Sequence, residues 1–192
     1  MTSLPLPSPA PRASPAPSAW VQRWSHLVAP GAEVLDVACG SGRHLRWFAG
    51  RGHPVLGVDR DAAALAAAGR WGPVLQADLE NAPWPLAGRE FGAVVVTNYL
   101  WRPRKDAVLA AVAPAGLLIY ETFAAGNETV GKPGRPDFLL QPGELLRWCQ
   151  GPDWRVAAYE DGFAAEPDRF VQRIAAVRLP WPPTGEPPRW RL

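Results

Sequence analysis

Short, nearly unbroken apolar blocks alternate along the chain with stretches of helical spacing, and the apolar blocks end on polar residues or glycine. Blocks 33–38, 54–58, 73–77, 91–97 and 117–120 are too short for helices and rich in valine, leucine and isoleucine. They read as strands covered on both faces. Between them, 42–50, 61–68 and 105–113 carry helical spacing. Asp61 supplies an N-cap and Gly69 a stop for the second of these, while Pro114 and Gly116 break the third. A leading helix over 18–29 opens on Ser18, lines up Trp20, Trp24, Leu27 and Val28 on one stripe, and stops at Pro30-Gly31. Segment 142–149 reads as a further short helix. Strand–helix alternation of this kind predicts an α/β fold with a doubly wound, mostly parallel sheet. The last two strands, 154–160 and 170–179, predict an antiparallel hairpin at its edge. The segment 122–141 is irregular, rich in Gly, Pro and charge, and long enough to be a binding loop.

Composition changes this picture mainly at the ends. Many of the 23 prolines cluster there, which predicts a Pro-rich leader over 1–17, one domain over 18–179 and a Pro-rich tail over 180–192. A net charge of +2 from 20 basic and 18 acidic residues gives no basic stripe, hence no strong nucleic-acid signal. The two cysteines, Cys39 and Cys149, suggest no disulfide framework, and three scattered histidines give no metal-ligand spacing. Prolines interrupt the N-terminus where a signal peptide needs its apolar core, and no stretch reaches about 18 apolar residues. A cytoplasmic protein without a membrane span is the expectation. Oligomeric state is not legible in these patterns.

The candidate chemistry lies where the predicted strands end. There the chain places Gly40-Ser41-Gly42, Asp59, Asp78, Asn98 and Glu121 in succession. Ligands of open α/β sheets bind outside the carboxyl ends of the strands. Any one of these carboxylates is as well explained as a cap on the next helix; the whole row is not. The glycine loop leads into a helix and suits a phosphate or a carboxylate. A dinucleotide fingerprint needs a third glycine for close helix–strand packing, and Leu45 stands in its place. Asp59 sits about 20 residues on, where a ribose-binding acid belongs, which either ligand would use.

The stretch Val34-Leu35-Asp36-Val37-Ala38-Cys39-Gly40-Ser41-Gly42 resembles the first motif of class I S-adenosylmethionine-dependent methyltransferases. Gly57-Val58-Asp59, Ala77-Asp78-Leu79, Phe91 to Asn98 and Pro114 to Ile119 resemble the family's later landmarks in order. Gly-Ser-Gly-Arg-His and the small size are most similar to the bacterial tellurite-resistance type. The resemblance implies a Rossmann-like seven-stranded sheet and S-adenosyl-L-methionine as cofactor. It assigns Gly40 and Gly42 to the methionine part, with Arg43 either touching its carboxylate or solvated in the first turn, Asp59 to the ribose, and Asp78 and Leu79 to the adenine; Ala38, Cys39 and Arg60 are further cofactor-binding candidates. Asn98 would face the methyl group. Tyr99 and Glu121 are the candidates to orient a nucleophile or accept its proton, although packing explains Tyr99, and a helix or loop cap Glu121, somewhat better.

Tyr99 and Leu100 occupy the proline positions of the Asn-Pro-Pro-aromatic signature, so nucleic-acid amines are not expected and a small-molecule acceptor is. Lys132 and Arg135 make 122–141 a candidate acceptor loop for an anion. Trp20 and Trp24 fit either an apolar lid or the core. Two alternatives stay open: an NAD(P)-binding Rossmann protein, and a non-catalytic protein of the same fold acting through its Pro-rich ends.

Overall fold

Seven strands form one sheet in the order β3-β2-β1-β4-β5-β7-β6 in the computed structural model, which describes residues 15–180. The expected leader and tail fall outside the described residues over 1–14 and 181–192. Strands β1 (Val34–Val37), β2 (Val55–Asp59), β3 (Val74–Gln76), β4 (Phe91–Thr97) and β5 (Val112–Phe123) run parallel. β6 (Trp154–Ala164) and β7 (Arg169–Arg178) pair antiparallel, with β7 also antiparallel to β5. The hairpin therefore closes one end of the sheet as expected, with its later strand inside and β6 at the edge.

Period-2 alternation sends the apolar residues into two cores. Val34, Val95, Ile119 and Ala175 face α1 (Ala19–Trp24), α2 (Arg43–Ala49) and α3 (Ala62–Ala68). Leu35, Val37, Val96, Leu118 and Ile174 face α4 (Lys105–Ala110) and α5 (Glu144–Trp148). Trp20 and Trp24 belong to the first core, with the Trp20 indole donating to the Ile174 carbonyl at 3.2 Å. They are core residues, not a lid. Cys39 and Cys149 are free and buried, and burial pushes the Cys149 thiol up to about 12.

Several boundaries differ from the pattern-based expectation. The leading helix keeps α geometry only to Trp24 and continues as a 3-10 turn over Ser25–Leu27. The Ser25 hydroxyl donates to the Gln22 carbonyl at 2.9 Å and competes with the helical bond there. The helix before β5 ends at Ala110, because Pro114 and Gly116 lie in a bulge of β5 itself. Pairing jumps from Phe91↔Val112 to Ala93↔Leu117 across that bulge. At its other end β5 takes Thr122 and Phe123 from the irregular segment, since both have partners on β7.

What remains of that segment is anchored. Buried Asn127 donates to the Pro133 carbonyl at 3.0 Å and accepts the Phe170 N–H at 3.1 Å. Arg102 donates to the carbonyls of Asp137 (2.9 Å) and Leu139 (2.8 Å) and forms a two-point ion pair with Glu144. Burial raises the Glu144 carboxyl, but the Arg102 hydrogen bonds and the Gln141 N–H outweigh it and hold the group low.

Candidate functional site

The loop after β1 departs from ordinary strand geometry at three residues: Ala38 (φ 56°), Gly40 (φ 53°) and Gly42 (φ 79°). The two glycines serve different ends. Around Gly40 no atom lies within 4 Å of where a Cβ would stand, so its backbone faces open space. A Cβ on Gly42 would meet the Ala68 Cβ at 2.9 Å, so this glycine lets the start of α2 approach the end of α3.

Leu45, the residue that displaces the third glycine of a dinucleotide fingerprint, fills space left by a glycine elsewhere. A Cβ on Gly57 of β2 would lie 2.7 Å from Leu45 Cδ1 and 2.7 Å from Cys39 Sγ. Close packing is retained with the small residue moved from the helix to the strand. We expect Gly57→Ala to lower unfolding free energy by about 1–3 kcal/mol through overpacking. Adding Leu45→Val should recover part of that loss in thermal denaturation; an unchanged midpoint in the single variant would refute the packing account.

Ala38, Asp59, Arg60, Ala77, Asp78, Leu79, Glu80, Asn98 and Tyr99 line one open groove of about 260 Å³ at the carboxyl edge of β1–β4. Asp59 is built into the loop it faces: Oδ2 accepts the Gly40 N–H at 2.8 Å and Oδ1 the Asp61 N–H at 2.9 Å. Arg60 and Glu80 approach to 4.0 Å across the groove. The Asn81 side chain and the N–H groups of Glu80 and Asn81 donate to Asp78, holding its carboxyl below the ordinary range. The Leu79 carbonyl accepts from Arg104 Nε at 2.7 Å, which fixes the turn after β3.

Asn98 takes φ 55° and an exposed side chain just past β4, and its N–H donates to the Glu121 carbonyl at 2.9 Å. Tyr99 follows with its hydroxyl buried and without a hydrogen-bond partner. Burial first, then the nearby Glu80, raises that phenol well above its usual value, so it stays protonated. The Tyr120 hydroxyl holds the Tyr99 carbonyl at 2.8 Å.

Other candidates lie outside this groove. Cys39 is buried behind the loop, its thiol raised by burial and by Asp36 and Asp59. Arg43 donates to Thr97 Oγ1 at 3.2 Å, which ties α2 to the end of β4. Glu121 faces the α1 side, buried, accepting the Ser18 hydroxyl at 3.0 Å and pairing with Arg173 at 2.6 Å. Arg135 pairs with Asp137 and lies over Phe138, in a separate groove with Trp101 and Pro103; Lys132 is exposed. Neither lines the groove at the strand ends.

Sequence reasoning gave Ala77 only as part of the third-strand landmark, without a place in the site, and missed Glu80, although both flank the Asp78-Leu79 pair that it selected. It read Ser18 as a cap but missed its bonds to His44 and Glu121, for which no local signal exists.

Residues 34–115 match the family model described as a methyltransferase domain. No curated protein matches the chain. Among solved structures, TehB from Haemophilus influenzae shares the fold at TM-score 0.68 and 17% identity, over 83% of this chain and 61% of that one. This chain thus spans less than two thirds of TehB. An S-adenosylmethionine-dependent methyltransferase from Mesorhizobium loti matches at TM-score 0.63 and 19% identity, over 83% and 98% of the two chains. A TehB-like S-adenosylmethionine-dependent methyltransferase from Corynebacterium glutamicum matches at 0.56 and 19%, over 84% and 87%. At these identities the structural likeness is one of fold. The domain match over residues 34–115, the first motif and the fold make this chain similar to class I S-adenosylmethionine-dependent methyltransferases. Among the described residues no helix is long and apolar enough to cross a membrane.

Proposed function

We propose that this protein transfers a methyl group from S-adenosyl-L-methionine to a small-molecule acceptor in the cytoplasm. One observation carries the reading: Ala38, Asp59, Asp78, Leu79 and Asn98, drawn from four strand ends, line a single groove. The fit to the donor rests on Gly40, where a Cβ would fill the space that the backbone leaves open. S-adenosylmethionine, when bound, supplies a methyl carbon that the acceptor's lone pair attacks as the carbon–sulfur bond breaks, leaving neutral S-adenosylhomocysteine.

The chain's part is alignment and exclusion of water. Asp59 accepts the ribose hydroxyls with the lone pairs that Gly40 and Asp61 leave free. Arg60 borders the ribose, and Asp78 and Leu79 meet the adenine at the turn fixed by Arg104. Ala38 and the open backbone at Gly40 would form the wall for the methionine part, while Cys39 packs behind the loop and Gly42 and Arg43 set the start of α2. Asn98 and Tyr99 stand past β4 on the methyl-transfer side. A phenol kept protonated by burial orients an acceptor by donating a hydrogen bond, not by removing a proton.

Calorimetry with S-adenosylhomocysteine and NAD tests this reading. Binding of S-adenosylhomocysteine in preference to NAD is expected; the reverse order would overturn the donor assignment. A screen for methylated product then identifies the acceptor.

A further inference from the structure

The segment leading into α1 is tied down on both sides of β4. Ser18 donates its N–H to His44 Nε2 at 3.2 Å and its hydroxyl to Glu121 Oε1 at 3.0 Å. The same hydroxyl accepts the Trp20 N–H at 3.1 Å as the cap of α1. Its neighbours are held as well: Gln22 Nε2 donates to the Pro17 carbonyl at 2.9 Å, and Arg46 to the Pro15 carbonyl at 3.3 Å.

His44 directly follows Arg43 in the first turn of α2, and Glu121 stands near the carboxyl end of β5. Between β1 and β5 lies β4, whose Thr97 holds Arg43 and sits in register with Glu121. Ser18 therefore bridges the carboxyl end of β4, from the glycine loop's helix to β5. Both of its partners are buried and braced: His44 Nδ1 lies 3.6 Å from Asp36, and Glu121 lies 2.6 Å from Arg173. Because His44 Nε2 accepts, the ring proton sits on Nδ1, toward Asp36. The open groove is lined from Ala38 to Asn98 and does not reach Gly42 or Arg43. Ser18, His44 and Glu121 are likewise absent from that lining and stand beside Arg43 and Thr97 at the strand ends.

We infer that residues 15–18 are a strap and that Ser18 is its latch, a positioning residue that holds the strap across the methionine end of the donor site. Donor and spent product exchange when the bonds from Ser18 to His44 and Glu121 break. The inference rests on the donor-site reading above.

The test is the dissociation rate of S-adenosylhomocysteine from the full chain, followed by stopped-flow tryptophan fluorescence with excess competitor. Ser18→Ala removes the hydroxyl and should release the ligand about ten-fold faster, the change expected from one lost hydrogen bond. Ser18→Asp keeps a strong N-cap but cannot donate to Glu121, so it should also release faster. Ser18→Thr restores both roles and should return the rate toward that of the parent. Fast release in Ser18→Ala alone would mean that only the cap matters, and would overturn the latch. Parent-like rates in both variants would overturn it too. A parent protein that binds no S-adenosylhomocysteine would remove the donor reading, and the latch with it.

Discussion

Replacing Glu121 with alanine should lower the unfolding free energy by about 3 kcal/mol, the usual cost of stripping one partner from a buried ion pair. Glu121 is 2% exposed and sits between Arg173, at 2.6 Å, and the Ser18 hydroxyl. Its loss leaves the Arg173 guanidinium against Glu160 alone, at 3.0 Å, and leaves the Ser18 hydroxyl without an acceptor. For a domain of this size the thermal midpoint should fall by about 6–12 °C. Removing both ends together, as Glu121→Leu with Arg173→Met, should cost less than Glu121→Ala, because the Arg173 charge then goes with its partner and only the more exposed Arg169, 4.0 Å from Glu121, loses an ion pair. Urea denaturation of the three proteins checks this. A single variant as stable as the parent would show that the pair is solvated and contributes little. The Glu121→Ala variant also bears on catalysis: if Glu121 accepted a proton from substrate, turnover would collapse under conditions where denaturation shows the variant fully folded.

The largest functional effect is expected at Asp59. Its carboxylate accepts the Gly40 and Asp61 N–H groups and faces the groove, so it both shapes the loop and offers acceptors to a diol. Asp59→Ala should weaken S-adenosylhomocysteine binding by about 2 kcal/mol or more, roughly thirty-fold in dissociation constant. Asp59→Asn should fall between, since an amide oxygen can still accept the Gly40 N–H. Calorimetry on both variants decides the matter, and an unchanged affinity in the alanine variant would take the ribose away from Asp59.

Part of the site was legible because its signals are local. Asp59 and Asp78 each end an apolar run, and the glycine loop follows β1 at once. The reasons behind some of those residues were not legible. Gly42 was selected for closeness to a ligand, whereas its missing Cβ faces Ala68. Pro114 and Gly116 were punctuation between helix and strand until β4 supplied the pairing that turns them into a bulge. Glu121 read as a candidate proton acceptor because it ends a strand, yet its neighbours come from α1 and β7.

The amino-acid sequence alone determined the α/β class, the parallel strands, the caps at Ser18 and Asp61, and a glycine loop that resembles the first motif of class I methyltransferases. Each of these depends on residues within a turn or a strand of one another, where side-chain period and backbone preference act directly. Only the tertiary structure decided that Ser18, 26 residues from His44 and 103 from Glu121, joins them over the end of β4. Those bonds form because sheet order brings β1, β4 and β5 side by side. No local pattern along the chain carries that order.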